Sequence, residues 1–192
     1  MIAVLKYNAG NVCSVRFALQ RLGVEAIVTD DRAVLAQADK IIFPGVGAAA
    51  PAMHYLRESQ LDEVLQSFQK PLLGICLGMQ LMCAFSEEGN VDCLGIFPQN
   101  VRRFVSADRL QHVGWNQLKQ LESPLFIGIP EDVYQYFVHG YYAVVSGNTI
   151  ARCEHNGPFS AALQRNNFYG VQFHPEKSGV AGQQILQNFL AL

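Results

Sequence analysis

Apolar residues in the first half of the chain come in short unbroken runs, each followed by a stretch whose apolar positions recur three and four apart. The runs at 2–7 (IAVLKY), 25–29 (EAIVT), 40–45 (KIIFPG) and 71–75 (PLLGI) have the length of strands. Unbroken runs of that length suit strands covered on both faces, as in a parallel sheet. Helical spacing fills 11–23, 32–38, 53–69 and 77–85, and the third of these is long enough to break in two. Asn11 is placed to cap the first helix and Gly23 to stop it. Strands alternating with helices predict βαβ units and an α/β fold with an open, mostly parallel sheet flanked by helices.

After Gly89 the pattern changes. GIFPQNVRRFV, HVGWNQL, VYQYFVHGYYAVV, TIARCEH, FSAALQRNN and FYGVQFH read as strands, with turn signals such as Ser-Gly-Asn and Asn-Gly-Pro between them. This predicts antiparallel strands added to the sheet, closed by a helix over 178–192, with residues 1–192 forming one domain.

Composition narrows the function classes. A net charge of −2 offers no basic footprint for nucleic acid, and Arg102-Arg103 reads as a solvated face. No apolar run reaches the ~20 residues of a membrane helix, and the start lacks a basic segment leading into a long apolar core. Five cysteines at irregular spacing, with no CxxC pair, argue against a disulfide framework. The five histidines show no i, i+4 pairing. No metal or cofactor is expected, and the reducing cytoplasm is the expected compartment.

One cysteine stands apart. In KPLLGICLGMQ, Cys76 sits between an apolar run and a helical stretch, with Gly74 and Gly78 on either side. That is the context of a nucleophile elbow, with cysteine in place of serine. A tight strand-to-helix turn strains the nucleophile's backbone and brings neighbouring backbones close, so flanking Cβ atoms are unwelcome. The helix start favours thiolate over thiol, and the N–H of Leu77 is placed to donate to an oxyanion. Cys13, Cys83, Cys93 and Cys153 read as small hydrophobes.

A thiol nucleophile needs a base. In YGVQFHPEKSG, His174 is expected to end a strand, Pro175 to bar its continuation, and Glu176 to lie on the same side as His174 in an extended chain. A carboxylate there holds one ring nitrogen and leaves the other for the thiol. His139, in YFVHGYY, has no carboxylate within two residues and ranks second, as a structural or neighbouring group. FPGVGAA (43–49) places two glycines at the end of the third strand, at the carboxyl edge where open α/β folds bind ligands.

PGVG, GICLGMQ and FHPEKS, in this order, resemble class I (triad) glutamine amidotransferases. NAGNVCSV, HVGWN (112–116) and YFVHGYY (136–142) resemble, within that family, the glutaminases that serve imidazole glycerol phosphate synthase in histidine biosynthesis. The resemblance covers essentially the whole chain. It implies that Cys76 attacks the side-chain amide of glutamine and forms a thioester, with His174 as base and then acid and Glu176 as its orienter. It assigns the oxyanion hole to the Leu77 amide and the Gly45, Val46 and Gly47 backbone, and glutamine binding to Gln80, Glu88 and Tyr136. It also implies a partner, a (β/α)8-barrel cyclase on a second chain that takes the ammonia in a heterodimer. Asn8, Asn11 and Lys177 are the interface candidates. The chain departs from the family pattern at Lys6-Tyr7-Asn8, where an aspartate is frequent; at Gln111, in place of a proline; and at Gly140, in place of a hydroxyl residue. Three other readings stay open. The ammonia could feed another synthase, such as one aminating a surface sugar. The chain could be a free-standing cysteine peptidase or γ-glutamyl hydrolase. It could also be a binding module with a relic elbow, which the intact triad disfavours.

Overall fold

A computed structural model describes residues 1–8, 11–105 and 110–192. Ala9 and Gly10 of the NAGNVCSV motif lie outside the described residues. The first half alternates as its pattern predicts: β1 (Ile2–Leu5), α1 (Val12–Arg21), β2 (Ala26–Thr29), α2 (Arg32–Gln37), β3 (Lys40–Gly45), α3 (Ala49–Glu58), α4 (Leu61–Ser67), β4 (Leu72–Cys76) and α5 (Leu77–Met82). The Asn11 side chain accepts from the Ser14 N–H at 3.4 Å, and Gly23 turns away from α1 at φ +73°. The segment expected at 53–69 does divide, at Gln60 in the left-handed region. Its first half begins four residues early, because Ala-Ala-Pro-Ala shows no polar face and carries a proline, which a first helical turn accepts.

The second half contributes β5 (Phe85–Ser86), β6 (Val91–Asp92), β7 (Asn100–Arg103), β8 (His112–Gln117), β9 (Tyr134–His139), β10 (Tyr141–Ala143), β11 (Thr149–Glu154), β12 (Pro158–Arg165), β13 (Phe168–Val171) and the closing helix α6 (Gly179–Ala191). The main sheet has seven strands in the order β11-β12-β13-β4-β3-β1-β2. β2, β1, β3, β4 and β13 run parallel, while β11 and β12 extend that edge antiparallel. The remaining strands do not join this sheet. β10-β7-β5-β6 form a small sheet and β8-β9 a two-stranded ribbon.

The unbroken apolar runs follow from burial on both faces. Successive residues of one strand serve opposite cores: Ala3 and Leu5, Ile41 and Phe43, and Leu72 pack toward α2, α3, α4 and α5. Val4, Ile42, Leu73 and Ile75 pack toward α1, α6 and the β8-β9 ribbon. β3 and β4 pair from Ile41↔Leu72 to Gly45↔Cys76, so both end at the same edge of the sheet. That shared edge carries the site.

Candidate active site

Cys76 is the last residue of β4 and the residue before α5, and the chain makes this corner with φ +54° and ψ −110° at a non-glycine residue. Such a conformation persists only where its surroundings over-determine it. Here the glycines do so by letting α5 lie flat on the sheet. A Cβ on Gly78 would run into the Phe43 carbonyl oxygen, one on Gly74 would come within 2.7 Å of the Met79 nitrogen, and one on Gly45 within 2.6 Å of the Gly78 nitrogen. Gly45 therefore serves close packing, and the wall of the neighbouring cavity begins at Val46.

That cavity, about 200 Å³, is bounded by Val46, Gly47, Cys76, Leu77, Gln80, Glu88, Val138, His139, Gly140, Tyr141, His174 and Lys177. Gly47 has φ +116°, a region that favours glycine. Leu77 is the first residue of α5, so its N–H has no acceptor within the helix. Glu88 is half-buried and accepts from the Ala49 N–H at the start of α3, 3.0 Å away. Burial raises its carboxyl above the usual range, and the Ala49 N–H opposes that rise. Gly140 lies on the wall with ordinary space for a Cβ, 3.6 Å from the nearest atoms.

His174 reaches the cavity differently from the sequence expectation. β13 ends at Val171, three residues before the expected strand end at His174, and Pro175–Lys177 form a 3-10 turn where an extended chain was expected. The turn still brings Glu176 back to the ring, with His174 Nδ1 2.8 Å from Glu176 Oε1 and both side chains buried. The other ring nitrogen is left for Cys76, which lines the same cavity as His174. Burial works against charge on His174, yet Cys76 and Glu176 together raise its pKa to about 10. Its backbone is held as well, its N–H donating to the Tyr136 carbonyl at 2.9 Å. The Ser178 hydroxyl donates to the His174 carbonyl at 2.7 Å. A thiol paired with an imidazole oriented by a carboxylate can open an acyl or amide bond by covalent catalysis.

Of the other expected residues, Tyr136 is not on the cavity wall. Its ring packs edge-on against Trp115, and its carbonyl and N–H brace His174 and Ser178. Asn8 donates to the Pro51 carbonyl, Asn11 caps α1, and Lys177 stands exposed at the cavity rim. Sequence reasoning missed Gln172, which is fully buried and donates to the Cys76 sulfur at 3.6 Å. Its signal was available as the lone uncharged polar side chain between Val171 and Phe173. It also missed the outer face of the β8-β9 ribbon, where Val113 pairs with Val138 and Trp115 with Tyr136. Val113, Trp115, Val138, Tyr134 and the neighbouring Val46 all expose large apolar surface.

The inner face of that ribbon holds a histidine pair, with His112 Nδ1 3.0 Å from His139 Nε2. Burial, and then the charge of His155, pushes His112 down to about 4; burial, and then the neighbouring His112, His155 and His174, pushes His139 down to about 3 despite the Tyr141 carbonyl. Both groups bind protons less readily folded than unfolded, so their contribution to stability is present above about 6.5 and is lost as pH falls toward 4. Urea midpoints should therefore drop across that window, and His112→Gln should flatten the drop. A slope equal to that of the native protein would refute the assignment.

Residues 7–192 match the family model for class-I glutamine amidotransferases. The chain is 57% identical to imidazole glycerol phosphate synthase subunit HisH of Bacteroides fragilis, with 100% of this chain and 99% of that one covered. It is 50% identical to the subunit of the same name from Xanthomonas campestris, over 100% and 97% of the two chains. Among solved structures, a GMP synthase component from Thermoplasma acidophilum superposes with a TM-score of 0.77 at 19% identity, covering 100% and 92% of the two chains. A chain of PurLQS from Thermotoga maritima superposes at 0.76 and 19%, covering 99% and 97%. At these identities the two structures speak to the fold.

Proposed function

The chain belongs to the class-I glutamine amidotransferase family, and from that membership we infer that it is the glutaminase subunit of imidazole glycerol phosphate synthase, hydrolysing L-glutamine to L-glutamate and ammonia for histidine biosynthesis. The observation that carries the reading is Cys76 at its strained corner, sharing a cavity at the carboxyl edge of the sheet with a histidine that Glu176 orients. Residues 1–192 act as one amidotransferase domain, supported by a single sheet that takes strands from both halves of the chain.

In this reading the Cys76 thiolate adds to the side-chain carbonyl carbon of glutamine. The oxygen that becomes negative is met by the Leu77 amide and the backbone of Val46 and Gly47, with Gly45 anchoring that loop. His174 passes its proton to the nitrogen, the C–N bond breaks, and ammonia leaves behind a thioester. Water then adds to the thioester, His174 accepts a proton from it, and the sulfur leaves as thiolate with glutamate released. Glu176 keeps the ring oriented through both half-reactions. Glu88, on the wall, holds the substrate's amino-acid end, and Gln80, whose NH2 is taken up by Tyr141 and Gln172, offers the substrate its side-chain carbonyl. Tyr136 supports the site through its backbone contact with His174.

Ammonia released into neutral water becomes ammonium, which is not a nucleophile, so an acceptor must sit against the site. The proposed acceptor is a (β/α)8-barrel cyclase. The exposed strip of Val113, Trp115, Tyr134 and Val138, which reaches the cavity through Val138, supports a protein partner on this side. Asn8, Asn11 and Lys177 are proposed as polar contacts around it. Glutamine hydrolysis should be slow for the chain alone and rise when cyclase and its nucleotide are added. A backbone donor gained at Val46–Gly47 acts on the transition state, so kcat should rise by about 10²- to 10³-fold with a smaller change in KM. Steady-state kinetics with and without the partner decide this. Full activity in the lone chain would favour a free-standing hydrolase.

A further inference from the structure

From the cavity wall at Gln80, His139 and Tyr141, a line of polar side chains runs inward to the fully buried Gln172 and, in the other direction, to His112. It starts at the Tyr141 carbonyl, which cannot donate. His139 Nδ1 lies 2.7 Å from that oxygen and Gln80 Nε2 lies 2.8 Å from it, so both must present N–H groups and together they fill its two lone pairs. The same Gln80 amide nitrogen is 2.9 Å from the Gln172 side chain. A donor there requires an acceptor opposite, which places Gln172 Oε1 toward Gln80. The Gln172 NH2 is then left facing the Cys76 sulfur, at 3.6 Å. The reversed orientation would set two NH2 groups against each other in a site with no exposure.

The far side of the line enforces the same direction. With Nδ1 of His139 donating, its Nε2 must accept, and His112 Nδ1 donates to it from 3.0 Å. His112 Nε2 then accepts from the Asn116 amide at 3.1 Å, and that amide also donates to the Glu154 carbonyl at 2.9 Å. Every proton is assigned only if both histidines are neutral, and burial keeps them so.

We propose that Gln172 is a positioning residue for the nucleophile, its amide locked by Gln80 so that it donates to the Cys76 sulfur from the buried side, stabilising the thiolate and aiming it at the cavity. The proposal rests on reading Cys76 as the nucleophile. The Val138 carbonyl, 3.7 Å from the sulfur, can only accept, so it offers a thiolate nothing. Among the described residues, Gln172 places a side-chain N–H within hydrogen-bond distance of the sulfur. The other titratable groups around Cys76 are His174, His139, Glu88 and Lys177 on the cavity wall, Glu176 behind His174, and Tyr7, whose buried hydroxyl interacts with the Cys76 charge. None of them replaces an amide donor on that side.

Gln172→Leu, uncharged and of similar bulk, loses the N–H and the acceptor for Gln80. Gln172→Met loses the same two groups. Cys76 is alkylated with iodoacetamide in the full-length protein across a range of pH and followed by mass spectrometry, and circular dichroism reports folding. A lost hydrogen bond to a charged group predicts a midpoint about one pH unit higher in both variants, and kcat in the partner complex about tenfold lower, with KM for glutamine changed by less than about twofold. An unchanged midpoint in either folded variant overturns the proposal. Should neither fold, neutron diffraction on the native protein decides, since deuterium must lie on the Gln172 atom that faces sulfur, and an oxygen there overturns it. Alkylation needs no glutamine turnover, so the result stands apart from whether the chain is a glutaminase.

Discussion

Replacing Cys76 with serine is expected to lower glutamine turnover by on the order of 10³-fold or more. Sulfur ionises near neutral pH, whereas a serine hydroxyl must lose its proton during attack and needs an unprotonated base to take it. In the native site Cys76 and Glu176 together raise the His174 pKa to about 10, and serine removes the sulfur's share of that support. Serine differs from cysteine by one atom and suits the same corner, so the fold and the affinity for the cyclase should remain. Kinetics on the partner complex, with a binding titration beside them, test both statements. Turnover within about tenfold of the native enzyme would remove Cys76 from the chemistry.

The second large effect is on stability. Gly78→Ala should destabilise the protein by about 3 kcal/mol, at the upper end for overpacking. The added Cβ would run into the Phe43 carbonyl oxygen. Phe43 lies in β3, which is paired on one side with β1 and on the other with β4, so that backbone cannot yield. α5 would have to lift from the sheet, carrying Leu77 and the corner at Cys76 with it. Gly140→Ala is the informative comparison, because its Cβ would have ordinary space, 3.6 Å from its nearest neighbours. Urea denaturation should show the first variant losing much more than the second. Equal, small losses would mean that α5 is not held by close approach at Gly78.

Which parts of this site could be read beforehand depended on whether the signal was local. The parallel core was legible because burial on both faces writes itself as unbroken apolar runs, as in PLLGI and KIIFPG. The elbow was legible because a corner with a left-handed residue needs small neighbours, and Gly74 and Gly78 sit at fixed distances from Cys76. His174 and Glu176 were paired from their spacing, although a 3-10 turn brings them together where an extended chain was expected. Gln172 escaped because its partners, Gln80 and Cys76, are 92 and 96 residues away in sequence. The apolar strip on β8-β9 escaped for a related reason. Alternation within HVGWNQ shows two faces, but only the tertiary fold tells which one is covered. Tyr136 was matched by motif, and its side chain points to Trp115 and not into the cavity.

The φ of +54° at Cys76 sets heat resistance against usefulness at a single codon. Glycine is the residue that this corner would choose on conformational grounds alone. A laboratory lineage propagated only for survival at high temperature would drift toward it, and the surviving proteins would be sturdy and inert. Selection for hardier versions of this chain must therefore keep histidine auxotrophy in the screen, so that growth itself penalises the relaxed backbone.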